Sequence, residues 1–174
     1  ATMGRDLEVA KQGQAVALQL DTDIDVARGA ILSLADNPPT VAAHLEVRIV
    51  WLWETPFDPE AGYFLRSATD LAPISAINIR SLLDLETLIA QPSATCGVND
   101  IAIASITLGR PVAVDTFADN QPTGAFLIVD AVTGATVAGG VITTATKGDV
   151  DYASAFKLTR ELLARGLCRD LGDS

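Results

Sequence analysis

Few residues of this sequence can act as metal ligands or nucleophiles through nitrogen or sulfur: its 174 residues include one histidine, two cysteines and one methionine. The single histidine, His44, excludes any catalytic or metal site that needs two imidazole groups. Cys96 and Cys168 are too few and too far apart for a zinc-binding motif or a disulfide-rich scaffold. A reducing, cytoplasmic location is therefore the expectation.

Basic residues are also few, since 12 Lys and Arg stand against 22 Asp and Glu and leave a net charge of −10. Nucleic-acid binding requires a basic surface that neutralises phosphates, and an anionic membrane surface repels an acidic protein. No apolar run approaches the roughly 18 residues that cross a bilayer, and residues 1–6 lack the basic and apolar regions of a secretion signal. The sequence therefore predicts neither a nucleic-acid partner nor a membrane partner.

Short runs of Val, Ile, Leu and Ala between turn residues make up much of the chain, which is typical of an all-β barrel or sandwich. Residues 44–51 alternate most regularly, and they place Leu45, Val47, Ile49 and Trp51 on one face of a strand. The other strands predicted between residues 42 and 143 are residues 62–66, 72–79, 100–108, 111–117, 124–130 and 136–142.

Two tight turns are predicted to join neighbouring strands. Gly109 and Arg110 form a two-residue loop that begins with glycine, and Thr133 and Gly134 lie at the centre of a second turn. Strands joined in this way lie side by side and antiparallel. The segments between residues 42 and 143 are therefore sufficient for a small closed barrel of six strands.

The segments on either side of this barrel have a different character. Pro38 and Pro39 predict a linker, because consecutive prolines cannot donate hydrogen bonds to a sheet. Before the linker, residues 14–20 alternate as a strand and residues 30–34 form another short apolar run. After the barrel, six side chains at helical spacing predict an amphipathic helix that ends at Gly166: Tyr152, Ala155, Phe156, Thr159, Leu162 and Leu163.

Nucleotide-binding and hydrolase motifs are missing from the sequence. A phosphate-binding P-loop needs glycine directly before its lysine, whereas Lys11, Lys147 and Lys157 follow alanine, threonine and phenylalanine. Neither a dinucleotide-binding fingerprint nor a nucleophile-elbow motif is present. His44 belongs to a regularly alternating strand, which favours a surface histidine over a catalytic one.

Asp21, Asp23 and Asp25 are candidates for a metal site, since alternate aspartates begin a calcium-binding loop. Val26 stands where that loop needs glycine, and Leu32 stands where it needs a bidentate glutamate. The three aspartates therefore predict a solvated turn rather than a loose cation site.

The remaining candidates are structural by the same reasoning. Two pairs of carboxylates lack a second polar element and are best explained as surface turns: Asp58 with Glu60, and Asp84 with Glu86. Trp51 and Trp53 are two residues apart, which puts them on the same face of a strand as core or interface anchors. Cys168 is a free thiol in a polar tail. No catalytic, cofactor-binding or metal-binding residue is assigned.

Several segments, read in order, carry a resemblance to a known family. Residues 23–32 are similar to its stretch DIDISRGD-x-L, with Ala30 in place of the usual aspartate. Residues 123–130 and 136–142 form the most specific block, similar to TG(S/A)FI-x-ID and TVGAGMI. The other matching segments are residues 38–39, 44–52, 54–59, 62–69, 98–102 and 110–115. Together they resemble the second and third domains of the large, GTP-binding subunit of bacterial sulfate adenylyltransferase, in the translation-factor GTPase superfamily.

The resemblance implies an elongation-factor-like C-terminal barrel at residues 40–145. It also implies the last strands of a second β-barrel domain at residues 1–36, a linker at residues 37–39, and a linker with one helix at residues 146–174. GTP and magnesium would bind only to a GTPase domain outside this chain. Adenylyl transfer from ATP to sulfate belongs, in that family, to a separate small catalytic subunit. The chain alone is then not an enzyme: it supports the GTPase domain and contacts the small subunit.

Two alternative functions stay open beside this interpretation: a stand-alone barrel and an enzyme in its own right, the latter disfavoured by the single histidine and the missing nucleotide motifs. A stand-alone barrel of the elongation-factor type would regulate or bind a small ligand without enzymatic activity. Residues 166–172 resemble a motif of adenylylsulfate kinase, which follows this subunit in some bacteria, although a plain amphipathic helix explains the tail better. An exposed strand edge in residues 1–36 would also permit a homodimer.

Overall fold

A computed structural model describes residues 9–11, 13–17, 31–33 and 36–147. Several predictions fall on other parts of the chain: the C-terminal helix, Cys168, the aspartates at positions 21, 23 and 25, and much of the two short apolar segments before the linker lie outside the described residues. Of the predicted strand at residues 14–20, only residues 14–17 are described, and they are not in a strand.

Seven antiparallel strands and one short helix make up the described fold. In chain order they are β1 (Thr40–Trp51), β2 (Tyr63–Arg66), β3 (Leu71–Leu83), β4 (Ala90–Pro92), β5 (Ile101–Val114), α1 (Gln121–Gly124), β6 (Ala125–Asp130) and β7 (Thr136–Lys147). The strands are ordered β2-β6-β7-β1-β5-β3, and β3 pairs again with β2. This pairing closes a six-stranded barrel, which confirms the predicted all-β barrel. Strand β4 pairs only with the C-terminal end of β3, at residues 81–83.

The alternation of residues 44–51 sets the inside and outside of the barrel. Leu45, Val47, Ile49 and Trp51 are all buried, as predicted, while His44 and the other outward side chains face solvent. Every second side chain of a strand points to the same face, so one face of β1 lines the core. Among the described residues, no polar or charged side chain is buried. The described interior is therefore an apolar core.

Three buried aromatic side chains pack against one another in this core. The Trp51 ring meets Phe57 and Tyr63 edge to face, with centroids 5.7 and 6.1 Å apart, and Phe57 stacks on Tyr63 at 6.0 Å. The indole N–H of Trp51 donates to the carbonyl of Thr55 at 2.8 Å, and the Tyr63 hydroxyl donates to the carbonyl of Asp58 at 3.1 Å. Burial raises the pKa of Tyr63. Each polar tip is thus satisfied while its ring is packed.

The predicted turn at Gly109 and Arg110 is wrong, because β5 continues through both residues. Ala42 pairs with Val112 and His44 with Thr107, so one residue of β1 faces four residues of β5. Such a bulge accommodates a strand residue that has no N–H, here Pro111. A Cβ on Gly109 would lie 3.1 Å from the Pro73 ring. The glycine therefore serves a close approach to β3 and not a reversal of the chain.

Arg110 links this bulge to the β2–β3 turn through an ion pair with Asp70. Its guanidinium donates to both carboxylate oxygens of Asp70, at 2.7 and 2.6 Å, and to the carbonyl of Leu71 at 3.1 Å. This hydrogen-bonded pairing with Asp70 raises the pKa of Arg110. Bidentate geometry of this kind fixes orientation as well as adding energy.

The second predicted turn, around Thr133 and Gly134, is confirmed as the connection between β6 and β7. Gly134 has a φ of +72°, which glycine adopts without strain. The Asp130 carboxylate accepts hydrogen bonds from the N–H groups of Val132 and Thr133, at 3.0 and 2.7 Å. Hydrogen bonds from Thr133 are the main reason that the pKa of Asp130 is lowered.

No helix in the described ranges has the length and hydropathy that a membrane span requires.

Candidate functional site

His44 lies on the outer face of the barrel, which confirms the prediction of a surface histidine. Its Nδ1 is 3.3 Å from the hydroxyl oxygen of Thr107, on the neighbouring strand β5. On the same strand as His44, Glu46 forms an ion pair with Arg80 at 2.8 Å. These exposed polar side chains belong to the solvated face of the sheet.

The two carboxylate pairs prove to be turn residues, also as predicted. Asp58 accepts a hydrogen bond from the N–H of Glu60 at 2.9 Å. Asp84 accepts from the N–H groups of Glu86 and Thr87, at 2.9 and 2.8 Å, and its bonds with Thr87 are the main reason that its pKa is lowered. Within the part of the chain that the structure describes, no three His, Cys, Asp or Glu side chains are grouped to hold a metal ion.

The two tryptophans do not share a strand face, and that prediction is wrong. Trp51 is 1% exposed, whereas Trp53 is 44% exposed. Strand β1 ends at Trp51. The N–H of Leu52 then donates to the carbonyl of Val137 at 2.8 Å, and the carbonyl of Trp51 accepts from Asn99 at 2.8 Å. These bonds end the regular alternation before Trp53.

Cys96 is a buried free cysteine, 1% exposed. Burial, and secondarily the charge of Asp100, raises the pKa of its thiol to about 11. Because the thiolate is the reactive form, the Cys96 thiol is inert in the folded protein.

We expect Cys96 to resist a thiol reagent in the folded protein at pH 8 and to react within the mixing time in urea. The matched background is Cys168→Ser, which leaves Cys96 as the one thiol of the chain. Release of the chromophore from an aromatic disulfide reagent measures the rate. Equal rates with and without urea would contradict the burial of Cys96.

A cleft of about 600 Å³ lies where the segment before β1 meets the barrel. Its polar side is formed by the connection between β5 and α1: Asp115 accepts a hydrogen bond from the Thr123 hydroxyl at 2.5 Å and lies 3.3 Å from Nδ2 of Asn120. Its other side is formed by Pro38, Pro39 and residues 31–33. Sequence reasoning missed this cleft, since its two sides are more than 70 positions apart in the chain.

The two carboxylates of this cleft form hydrogen bonds within the connection between β5 and α1, where they lie. Asp119 accepts a hydrogen bond from the Thr116 hydroxyl at 2.6 Å, as Asp115 does from Thr123. The two threonine hydroxyl groups thus fix the positions of both carboxylates by hydrogen bonding.

A second surface is apolar and lies at the end of the β3–β4 hairpin. Residues 84–89, which we call the β3–β4 tip, carry Leu85, Leu88 and Ile89, whose exposed fractions are 64%, 71% and 61%. The sequence predicted β3 only as far as residue 79, whereas the strand continues to Leu83 and pairs there with β4. The tip was therefore not among the predicted sites, although its three large apolar residues stand within five positions.

Comparison with known proteins places this barrel among relatives of two kinds. A family model described as GTP-eEF1A C-terminal domain-like matches residues 44–143. Sulfate adenylyltransferase subunit 1 of Colwellia psychrerythraea is 34% identical over 164 residues, covering 94% of this chain and 35% of that protein. The same subunit of Methylorubrum populi is 35% identical over 143 residues, covering 82% of this chain and 30% of that protein. The chain thus spans about a third of the length of these relatives.

Solved structures agree on the fold. Sup35 complexed with GDP has a TM-score of 0.54 and 21% identity, and Sup35 complexed with GMPPNP has a TM-score of 0.57 and 22% identity. Each match covers 64% of this chain and 27% of the Sup35 chain. At this level of identity the likeness concerns the barrel architecture alone.

Proposed function

Since the chain belongs to the GTP-eEF1A C-terminal domain-like family, we propose that it is the non-catalytic β-barrel portion of a GTP-dependent sulfate adenylyltransferase large subunit. In this role it supports the GTPase domain and contacts the small catalytic subunit. The assembly joins ATP and sulfate to form adenylylsulfate and pyrophosphate. GTP and magnesium would bind to the GTPase domain and not to this barrel.

The observation that carries the proposal is the match to sulfate adenylyltransferase subunit 1 over 94% of the chain. The architecture supports it as well. The inward faces of the strands form an apolar core, so the outer faces and loops are the surfaces for contact with other domains. A subunit numbered as the first of its enzyme also implies a second subunit as partner.

The division of the chain follows from the same proposal. Residues 40–145 are the third-domain barrel, and β1 begins at Thr40 directly after the two prolines of the proposed linker, residues 37–39. The cleft between these prolines and the β5–α1 connection supports a linker held against the barrel. Residues 1–36 would complete a neighbouring barrel, and residues 146–174 would contribute a linker and a helix.

The test is to mix the purified chain with the small subunit from the same organism and to measure heat of binding by titration calorimetry. We expect saturable binding, and no GTP hydrolysis or adenylylsulfate synthesis by the chain alone. GTP turnover by the chain alone would contradict the non-catalytic assignment. Absence of binding would contradict the contact with the small subunit.

A second measurement separates this proposal from a stand-alone barrel. An antibody against the chain is applied to lysate of the source organism. A band several times larger than 18.2 kDa supports a portion of a large subunit. A single band at the mass of the chain contradicts it.

A further inference from the structure

Strand β2 closes the barrel, and it is also the shortest strand of the barrel. It has four residues, whereas the other barrel strands have between six and fourteen. On one side it pairs with β3, to which a tight turn joins it. On the other side it pairs with β6, and the paired segments, residues 63–66 and 127–130, are more than 60 positions apart in the chain. We call this second pairing the β2–β6 seam.

Side chains hold β2 on the side of β3. The Ser67 N–H donates to the carbonyl of Asp70 at 2.9 Å, and the Asp70 N–H donates to the Ser67 hydroxyl oxygen at 3.0 Å. Arg110 of β5 then holds the Asp70 carboxylate through two hydrogen bonds. The other ion pair within residues 36–147, Arg80 with Glu46, joins β3 to β1, so neither ion pair crosses the seam. The seam therefore depends on backbone pairing and on apolar burial.

Apolar burial in the seam is one-sided. On the inner face, Leu65 lies opposite Ile128, and both side chains are buried. On the outer face, Arg66 lies between Leu127 of β6 and Leu71 of β3, which are 41% and 50% exposed. Since the free energy of burial scales with the apolar area removed from water, the outer face contributes little.

The seam is the shortest pairing of the barrel whose two strands are not joined by a turn. We propose that the barrel opens reversibly at the β2–β6 seam, while β2 stays paired with β3 and β6 stays paired with β7. Opening would convert the closed barrel into an open sheet and expose Leu65 and Ile128. Local openings of this kind cost less free energy than global unfolding. This opening is a property of the barrel itself and does not depend on the proposed function.

Successive backbone N–H groups of β2 and β6 point to different neighbouring strands, which makes the opening measurable. The Ala131 N–H donates to the carbonyl of Gly62 across the seam at 2.9 Å. The Asp130 N–H donates to the carbonyl of Ala135, on the side of β7, also at 2.9 Å. Because the direction alternates along an antiparallel strand, the N–H groups directed across the seam belong to Phe64, Arg66, Leu127 and Val129. The N–H groups directed to β3 or β7 belong to Tyr63, Leu65, Phe126 and Ile128.

The test is amide hydrogen exchange of the full, isotope-labelled chain, measured by NMR under conditions in which each rate reports an opening equilibrium. After correction for intrinsic rates, we expect the seam amides to exchange at least about tenfold faster than the alternate amides of the same strands. One opening constant shared by all these amides would overturn the inference, because β2 and β6 would then separate only when the whole barrel unfolds. Fast exchange at Tyr63 and Leu65 would also overturn it, since β2 would then leave β3 as well.

Gly62→Ala is expected to favour the open seam. A Cβ at this position would lie 3.3 Å from Cβ of Ala131, closer than an ordinary contact. The opening constant of the seam amides should rise at least about threefold, whereas that of the alternate amides should not change. Gly139→Ala is the matched control, because its Cβ would meet Cδ2 of Leu127 at 3.8 Å; seam exchange should stay within about twofold. An equal rise in both sets of amides would assign the effect to global stability and overturn the inference.

Arg110→Gln tests the side of β2 that stays paired. Glutamine cannot reproduce the bidentate contact with Asp70. Exchange at Tyr63 and Leu65 should therefore rise at least about threefold, toward the rate of the seam amides. Arg80→Gln is the control, since it removes an ion pair that does not involve β2. Unchanged exchange at Tyr63 and Leu65 in Arg110→Gln would overturn the role of Arg110 in retaining β2.

Discussion

Trp51→Ala is expected to lower the free energy of unfolding by about 3–5 kcal/mol, the range for removing a large buried aromatic side chain. The side chain is fully packed at the end of β1 and meets Phe57 and Tyr63 edge to face. Its removal leaves a cavity between two rings, and it also leaves the carbonyl of Thr55 without its indole partner. Both losses act in the same direction.

Trp53→Ala is the control for this prediction, since it makes the same chemical change two residues further along. Trp53 is half exposed and follows the end of β1, so the expected change is within about 0.5 kcal/mol. Urea unfolding followed by circular dichroism measures both variants without depending on tryptophan fluorescence. Equal losses for the two variants would contradict the assignment of Trp51 to the core.

Trp51→Phe keeps the test decisive if Trp51→Ala does not fold. Phenylalanine retains an aromatic ring but has no N–H donor for the Thr55 carbonyl. We expect a loss smaller than that of alanine and larger than that of any change at Trp53. A Trp51→Phe chain as stable as the original would show that neither the indole volume nor its hydrogen bond matters.

Local periodicity predicted the central strand well, because the strand is long and one face of it is buried. Residues 44–49 alternate between polar and apolar side chains, and the structure buries the face that the alternation selects. The β6–β7 turn was equally accessible to sequence reasoning. Its Asp130 cap and its glycine of positive φ are contained in a few consecutive residues. Features that depend on neighbours in sequence were therefore predicted.

The prediction of a turn at Gly109 and Arg110 failed because the residues that determine the conformation there are distant in sequence. A glycine between two β-like segments has the same appearance whether it reverses the chain or lies close to another strand. The ring of Pro73, 36 positions earlier, and the carboxylate of Asp70 decide the matter. The prediction that Trp53 shares a strand face with Trp51 failed for a related reason. Val137 and Asn99 form the hydrogen bonds that end the alternation of β1. Neither partner is visible from the residues around the site.

The β3–β4 tip was missed because composition does not reveal exposure. Leucine and isoleucine within a β-rich sequence favour a buried strand, and the turn that exposes them depends on the Asp84 cap. The resemblance to the sulfate adenylyltransferase large subunit concerned the barrel as a whole. It assigned a partner to the domain without indicating which surface meets it.

Gly140→Ala is expected to lower the free energy of unfolding by about 3 kcal/mol, at the upper end of the range for overpacking a core. A Cβ at this position of β7 would lie 2.6 Å from Cζ of Phe126, 2.8 Å from the carbonyl oxygen of Arg48 and 2.8 Å from Cγ2 of Ile49. The phenyl ring can shift, but the carbonyl belongs to the strand paired with β7. Relief therefore requires β1 and β7 to separate at their contact.

Gly139→Ala is the matched control, one residue earlier on the same strand. Its Cβ would meet only Cδ2 of Leu127, at the ordinary contact distance of 3.8 Å. Alanine also has less conformational freedom to lose than glycine, so we expect stability to be unchanged or higher by up to about 1 kcal/mol. Urea unfolding of both variants, with Phe126→Leu made alone and in combination with Gly140→Ala, separates the contact with the ring from the two contacts with β1. If Gly140→Ala costs nothing in the Phe126→Leu background, the loss belongs to the ring alone, whereas a remaining cost locates the rest of it at β1, where the Cβ meets the Arg48 carbonyl and the Ile49 side chain.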